Sequence, residues 1–427
     1  MRDKKFWNSK QKIVYEWLEE LDHPEEGITF LYVVGTNGKG SVGRALALAL
    51  EGLTGQKVGH FLSPHIHKYN ERIMIGKEAI SDEKLEAIKD KMALAAEKKG
   101  LEYQGYFINS FIEAMLAFKG LKLAVIEAGI GALEDVTNIL PFSFQVLTKM
   151  GLDHTNILGN TLKDIAFQKA SSLPAHTPAV SCNQDEEAKD EIEVLAREKG
   201  SPITFSSPDS IKNLSVHIRP RGDKTDKGSA WTMSFDYEGG WLSGKYETRL
   251  VGLHQKENLA TALKSMEIVF DPESGDFPDI KKYFKKRMTR SAIKDTVIEA
   301  LKELYLPGRL ELLSRDPYII IDGAHNDQAI GVLKENLAWL GFSEKGAFGK
   351  PNLIFGCHDG KIHEGAKEDF YQAMNSVYMI EIQDVEDEEV KSRVERALKD
   401  SIDKDSTRPI IVAGSLYMLD LDPCPEE

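Results

Sequence analysis

The sequence predicts an α/β protein of two unequal domains, and three observations carry that prediction. Short apolar, β-rich runs alternate with longer amphipathic stretches, first up to about residue 181 and again from about 305 onward. A glycine-rich loop at 35–41 separates one such run from an Ala/Leu-rich stretch, the strand–loop–helix opening of an α/β domain. The chain has 427 residues, too many for one ordinary domain.

The elements follow in order. Residues 11–21 read as a short amphipathic helix with Ile13, Trp17, Leu18 and Leu21 on one face. Thr29–Val34 is an apolar run suited to a buried parallel strand, and 42–50 is a helix. Residues 57–61 form a short strand, 81–98 a helix capped by Ser81, and 107–119 another helix. Leu123–Glu127 and 145–149 are buried strands, 161–170 a helix and Ala179–Ser181 a strand. Residues 203–250 alternate polar with apolar around Gly-Gly and Arg-Gly-Asp turns, which predicts antiparallel hairpins. Residues 254–269 return to helix.

A second α/β series begins near 305. Strands are predicted at 317–321, 352–356, 377–382 and 409–413, with helices at 327–340, 361–374 and 386–400. Leu306-Pro307-Gly308-Arg309 breaks the preceding helix, so the boundary is placed there, giving domains 1–304 and 305–427. The expected architecture is an N-terminal P-loop ATPase-type domain, mostly parallel with a small antiparallel portion. A smaller C-terminal Rossmann-like α/β domain follows it.

Composition removes several classes of function. Lys and Arg number 54 against 68 Asp and Glu, a net charge of −14, which argues against a nucleic-acid or membrane-surface partner. Cys182, Cys357 and Cys424 lie far apart with no Cys-x-x-Cys, which excludes a disulfide scaffold and a cysteine zinc site. The N-terminal stretch lacks the apolar core of a signal peptide, and no apolar run approaches the roughly 18 residues of a membrane span. A cytoplasmic protein is expected.

The loop carries the chemistry. In Gly35-Thr36-Asn37-Gly38-Lys39-Gly40-Ser41 the glycines let backbone amides turn inward around phosphate oxygens. The helix that follows presents its positive end, Lys39 can reach the outer phosphates, and Ser41 can ligate magnesium. The general pattern has Ser or Thr directly after Lys; here Gly40 intervenes.

The spelling VVGTNGKGSV resembles the nucleotide loop of the Mur ligase superfamily and, within it, the folylpolyglutamate synthase/dihydrofolate synthase family. Further segments occur in that family's order: FLSPHIHKYNERIMI at 61–75, AVIEAGIGALEDVTNIL at 124–140 and GLDHTNILGNTLKDIAFQKA at 151–170. They continue with LVGLHQKENLATAL at 250–263, LPGRLELL and IIIDGAHN within 306–326, and GSLYML at 414–419. The resemblance implies an ATP-dependent ligase that adds L-glutamate to a reduced folate through an acyl phosphate. It leaves open dihydrofolate synthase activity as well. It implies ATP and Mg2+, with Ser63, Glu127 and His154 as metal ligands beside Ser41. Lys169 is implied to be carbamylated near the metals. Asn258, Arg309, Asp322 and His325 are implied to face the nucleotide, and Arg309 to neutralise phosphate charge. A monomer is expected.

The pattern is not complete. After Gly129-Ile130-Gly131 the family continues with a glycine and a basic residue, where this chain has Ala132 and Leu133. The helix that starts Phe-Glu in the family reads Phe107-Ile108, and Ser171-Ser172 replaces Gly and a basic residue after Ala170. Two other readings follow: another Mur-type amide ligase, or an ATP-binding paralogue without acceptor chemistry. The cell-wall Mur ligases resemble three-domain chains with a domain ahead of the loop, and only residues 1–34 precede Gly35 here.

Overall fold

The computed structural model describes residues 7–218, 230–286, 288–358, 361–383, 385, 387–415 and 418–421. The Arg221-Gly222-Asp223 turn, Leu416 and Tyr417 of the last motif, and Cys424 lie outside the described residues.

The N-terminal part builds an eight-stranded sheet. Its strands are β1 (Thr29–Val34), β2 (Gly59–Phe61), β3 (Ile73–Ile75), β4 (Glu78–Ala79), β5 (Leu123–Glu127), β6 (Phe142–Leu147), β7 (Ala179–Ser181) and β8 (Ile203–Phe205). The order is β4-β3-β2-β5-β1-β6-β7-β8, parallel from β2 through β8, with β3 and β4 added antiparallel at one edge. The unbroken apolar runs of β1 and β5 are what a strand needs when helices cover both faces. The pleat sorts β1 by alternate residues: Leu31 and Val33 pack with the helix Lys39–Thr54, while Phe30, Tyr32 and Val34 pack with Trp17, Phe111 and Met115.

Several local readings change. The strand predicted at 57–61 is only Gly59–Phe61, and that at 377–382 is Ser376–Met379. The helix after the glycine loop starts at Lys39, directly after Gly38 at φ +87°, so Lys39 and Ser41 lie in its first turn. β6 begins at Phe142 and ends at Leu147, freeing Thr148 to turn under Gly35. β8 pairs parallel with β7 and does not join a hairpin, because the helix Glu186–Glu198 supplies the crossover between them.

The alternating segment forms a separate antiparallel sheet of β9 (Ile211–Ile218), β10 (Trp231–Tyr237) and β11 (Gly244–Thr248). Beyond the helices Gln255–Phe270 and Arg290–Lys302 come β12 (Glu311–Arg315), β13 (Tyr318–Asp322), β14 (Asn352–Gly356), β15 (Ser376–Met379) and β16 (Ile410–Gly414). This five-stranded sheet runs β12-β13-β16-β14-β15 and is parallel except for β12, an antiparallel edge strand that the pattern did not predict. Trp231 Nε1 donates to Leu310 O at 2.8 Å, tying the antiparallel sheet to the C-terminal lobe. Among the described residues no helix is long and apolar enough to cross a membrane.

Candidate active site

Parallel α/β sheets present ligands at the carboxyl ends of their strands. Here the ends of β1, β5 and β6 face a cavity of about 2490 Å³ whose opposite wall is the C-terminal lobe. Thr36, Asn37, Gly38, Lys39, Gly40 and Ser41 line the first wall with Ser63, Glu127 and His154; Arg309, Asp322 and His325 line the second, and Asn258 also lines the cavity. The structure thus brings almost all the sequence-predicted residues to one space. Gly35 and Lys169 stand behind the loop instead.

The loop is shaped by what lies under it. A Cβ on Gly35 would come within 1.9 Å of Thr148 Oγ1, and one on Gly38 within 2.1 Å of Asn258 Oδ1. Thr36 Oγ1 donates to Gly151 O at 3.1 Å, and the backbone amides of Thr36 and Asn37 donate to Lys149 O. Lys39 Nζ donates to Gly35 O and Thr36 O, at 3.1 and 3.0 Å. Burial lowers its pKa, opposed by Glu127 and Asp153.

Lys169 is 3% exposed, and its Nζ donates to Gly35 O at 2.9 Å. Burial first, and the nearby charge of Lys39 second, bring its pKa down to about 7. Glu127 ends β5 fully buried, with Oε1 accepting from His60 Nε2 at 3.0 Å. Ser63 follows β2 and precedes a cis peptide bond to Pro64. His154 occupies the left-handed region at φ +49°, its amide donating to Asp153 Oδ1 at 2.8 Å, and burial lowers its pKa.

Across the cavity, Arg309 stands between Gly308 at φ +62° and Leu310 at φ +47°. Two carboxylates hold that turn: Glu311 Oε2 accepts from Gly308 N at 2.8 Å, and Asp322 Oδ2 accepts from Leu310 N at 2.9 Å. Asp322 Oδ1 also accepts from Ala324 N at 3.0 Å, so both its oxygens support backbone next to Arg309. Burial pushes the Asp322 carboxyl up to about 6, opposed by the Arg309 guanidinium. His325 Nδ1 meets Gly323 O at 2.7 Å, and burial lowers its pKa.

Three partners that the motifs did not mark, Gln328, Lys361 and Asp420, complete the cleft. Asn37 Nδ2 donates to Gln328 Oε1 at 2.9 Å, Asp153 and Lys361 approach to 4.0 Å, and His67 Nδ1 meets Asp420 Oδ1 at 3.2 Å; all three contacts join the two lobes. None carries a local sequence signature, since each partner belongs to the other lobe. Further along the cavity wall Arg72 donates to His65 Nδ1 at 2.8 Å and lies 5.0 Å from the Tyr106 ring. Ile108 and Ala132, where the family pattern has charged or more flexible residues, are both buried in one apolar cluster.

The donor set suits a hard divalent cation in part. Ser41, Ser63 and Glu127 offer oxygen and His154 offers nitrogen on the same wall. Among the described residues no group of three or more His, Cys, Asp or Glu stands together as a metal site, so those side chains alone do not supply a full shell.

No protein-family model matches the chain. The folylpolyglutamate synthase of Lacticaseibacillus casei is 28% identical over 424 residues, covering 94% of this chain and 90% of that protein. The dihydrofolate synthase/folylpolyglutamate synthase of Bacillus subtilis is 30% identical over 328 residues, covering 75% of this chain and 70% of that protein. A solved structure of an FPGS–AMPPCP–folate complex superimposes with a TM-score of 0.75 at 26% identity, covering 96% of this chain and 93% of the other. The apo form of the L. casei enzyme gives the same TM-score of 0.75 at 25% identity, with the same coverage of 96% and 93%. Similarity of this extent, on an architecture whose glycine loop faces an arginine-bearing lobe, means that the chain belongs to the folylpolyglutamate synthase/dihydrofolate synthase family.

Proposed function

We propose that this chain is an ATP-dependent ligase that adds L-glutamate to a reduced folate. The observation that carries the reading is the single cleft with Lys39 and Ser41 on one wall and Arg309 and His325 on the other. A phosphate chain held between two lobes needs donors from both.

In this reading the loop amides and Lys39 hold the outer phosphates of ATP. A folate carboxylate oxygen attacks the γ-phosphorus in line, the bond to the β-phosphate oxygen breaks, and ADP leaves. The amine of glutamate then attacks the acyl carbon, phosphate leaves with the C–O electron pair, and the amine loses a proton. Arg309 neutralises charge on the transferring phosphoryl group. The contacts Asn37–Gln328 and Asp153–Lys361 draw the lobes together and help keep water from the acyl phosphate. Ser41, Ser63, Glu127, His154 and carbamylated Lys169 would hold Mg2+, which supplies charge neutralisation at the phosphates. Asn258, Asp322 and His325 serve the nucleotide. The proposal includes a monomer with domains at 1–304 and 305–427, acting in the cytoplasm.

The test is glutamate-dependent ADP release with a reduced folate, for wild type and Lys39→Ala. No release with any reduced folate overturns the substrate assignment, and an unimpaired Lys39→Ala overturns the loop assignment. Because the B. subtilis relative bears both names, dihydropteroate forms a second arm of the assay. ATP binding without glutamate-dependent turnover in either arm would instead favour the paralogue reading, which the apolar burial of Ile108 and Ala132 motivates.

A further inference from the structure

His60 is fully buried in the middle of β2, inside a short strand where an aliphatic side chain would pack without polar cost. Its Nε2 lies 3.0 Å from Glu127 Oε1, and its Nδ1 is buried with no hydrogen-bond partner. The ring therefore makes one polar commitment, to that carboxylate, and leaves its second nitrogen unspent. β2 and β5 are parallel neighbours with His60 opposite Val125, so the imidazole reaches along the strands to the last residue of β5. Glu127 Oε2 has no donor among the described residues, and Glu127 lines the cavity.

The helix above makes room for this contact. A Cβ on Gly43 would lie 2.7 Å from His60 Nε2 and 3.4 Å from Glu127 Oε1. Glycine inside a helix costs about 1 kcal/mol relative to alanine. That cost is borne at the point where the histidine–glutamate contact passes beneath the loop helix.

We infer that His60 is a positioning residue for the phosphate and metal site, donating from Nε2 to Glu127 Oε1 so that the other carboxylate oxygen is presented to a divalent cation. This rests on the proposed metal role of Glu127. Outer-shell donors of this kind fix the orientation of a ligating carboxylate, and their loss typically weakens metal affinity about 10–100-fold.

The test uses Mn2+ as the probe, with free Mn2+ counted by electron paramagnetic resonance in the presence of saturating AMPPCP, beside the melting temperature of metal-free protein. Glutamine places its amide nitrogen near the position of Nε2, whereas asparagine is too short to reach Glu127. His60→Gln should keep Mn2+ affinity within about 3-fold of wild type, while His60→Asn and Gly43→Ala should weaken it about 10–100-fold. Equal affinities in the Gln and Asn variants overturn the inference, as does a loss in both that follows their melting temperatures. If wild-type protein binds AMPPCP but no Mn2+ beside it, the metal role of Glu127 fails, and this inference fails with it. Normal Mn2+ binding by wild type with unchanged variants removes only the role of His60.

Discussion

Lys39 Nζ and Lys169 Nζ converge on one carbonyl, that of Gly35, at 3.1 and 2.9 Å. Lys169 is buried, and the nearby charge of Lys39 adds to the cost of charging it, so its pKa falls to about 7. At that value roughly half of the side chain is a neutral amine at neutral pH, the form that reacts with CO2. Protein prepared with bicarbonate should therefore carry the mass of one CO2 at Lys169 under non-acidic conditions, and Lys169→Ala should not. Activity of the variant should fall at least about 100-fold, the upper range for loss of a metal-supporting group. Wild type stripped of CO2 should lose activity and regain it with bicarbonate. Full activity in the stripped enzyme would rule out the carbamate.

The side-chain link Asn37–Gln328 connects the phosphate loop to the start of the helix Asp327–Trp339 in the other lobe. It is exposed, so its net worth is about 0.5–1.5 kcal/mol. Gln328→Ala should lower kcat/KM for ATP roughly 2–10-fold, the same range expressed as a rate ratio. Melting should barely move. A steady-state ATP titration that matches wild type would show that the link does not contribute to closure.

These contacts also mark the border of what the sequence could disclose. β1 and β5 were legible to the residue because a parallel strand covered on both faces is read from a continuous apolar run. The loop was legible because its glycines, Lys39 and Ser41 are neighbours in sequence between a strand and a helix, although the contacts that demand glycine, Thr148 at Gly35 and Asn258 at Gly38, lie far along the chain. β8 was misread as part of a hairpin because three residues carry too little period to separate parallel from antiparallel pairing. Gln328, Lys361 and His60 were invisible as site residues, since each matters only through a partner distant in sequence. Motif position brought Lys169 forward, whereas its burial behind the loop, away from the cavity wall, required three dimensions.

Asp322 gives a pH signature. Its carboxyl has a pKa raised from 3.8 to about 6, chiefly by burial. The folded protein thus holds a proton there that the unfolded chain has released, between about pH 4 and 6. Stability from this group is therefore greatest below that window and declines as pH rises through it, then stays level. Asp322→Asn cannot titrate, so the stability difference between wild type and variant should shrink from pH 4 to 6 and be flat above. Denaturant unfolding at a series of pH values measures it. A difference that is flat from pH 4 to 6 and grows with pH only below about 4 would mean that Arg309 outweighs burial, lowering the carboxyl pKa instead.

Gly308 links the arginine to the opposite lobe. It has φ +62°, and a Cβ there would come within 2.6 Å of Ile66 Cδ1 and 3.0 Å of Leu419 Cδ1. Its carbonyl accepts from Gly323 N at 3.0 Å and from Arg309 Nη1 at 3.2 Å, so any displacement is passed to the guanidinium. Gly308→Ala meets two penalties, a left-handed backbone worth about 1–2 kcal/mol and the clash with Ile66. The expected outcome is a kcat about 10-fold lower, with a smaller change in ATP KM, because the arginine acts as charge develops on the transferring phosphoryl group. Ile66→Val deletes the clashing Cδ1 and leaves the backbone penalty untouched. In the Gly308→Ala background it should restore part of kcat and leave the backbone share of the stability loss in place. Recovery of neither would mean that the close approach of Ile66 does not set the position of Arg309.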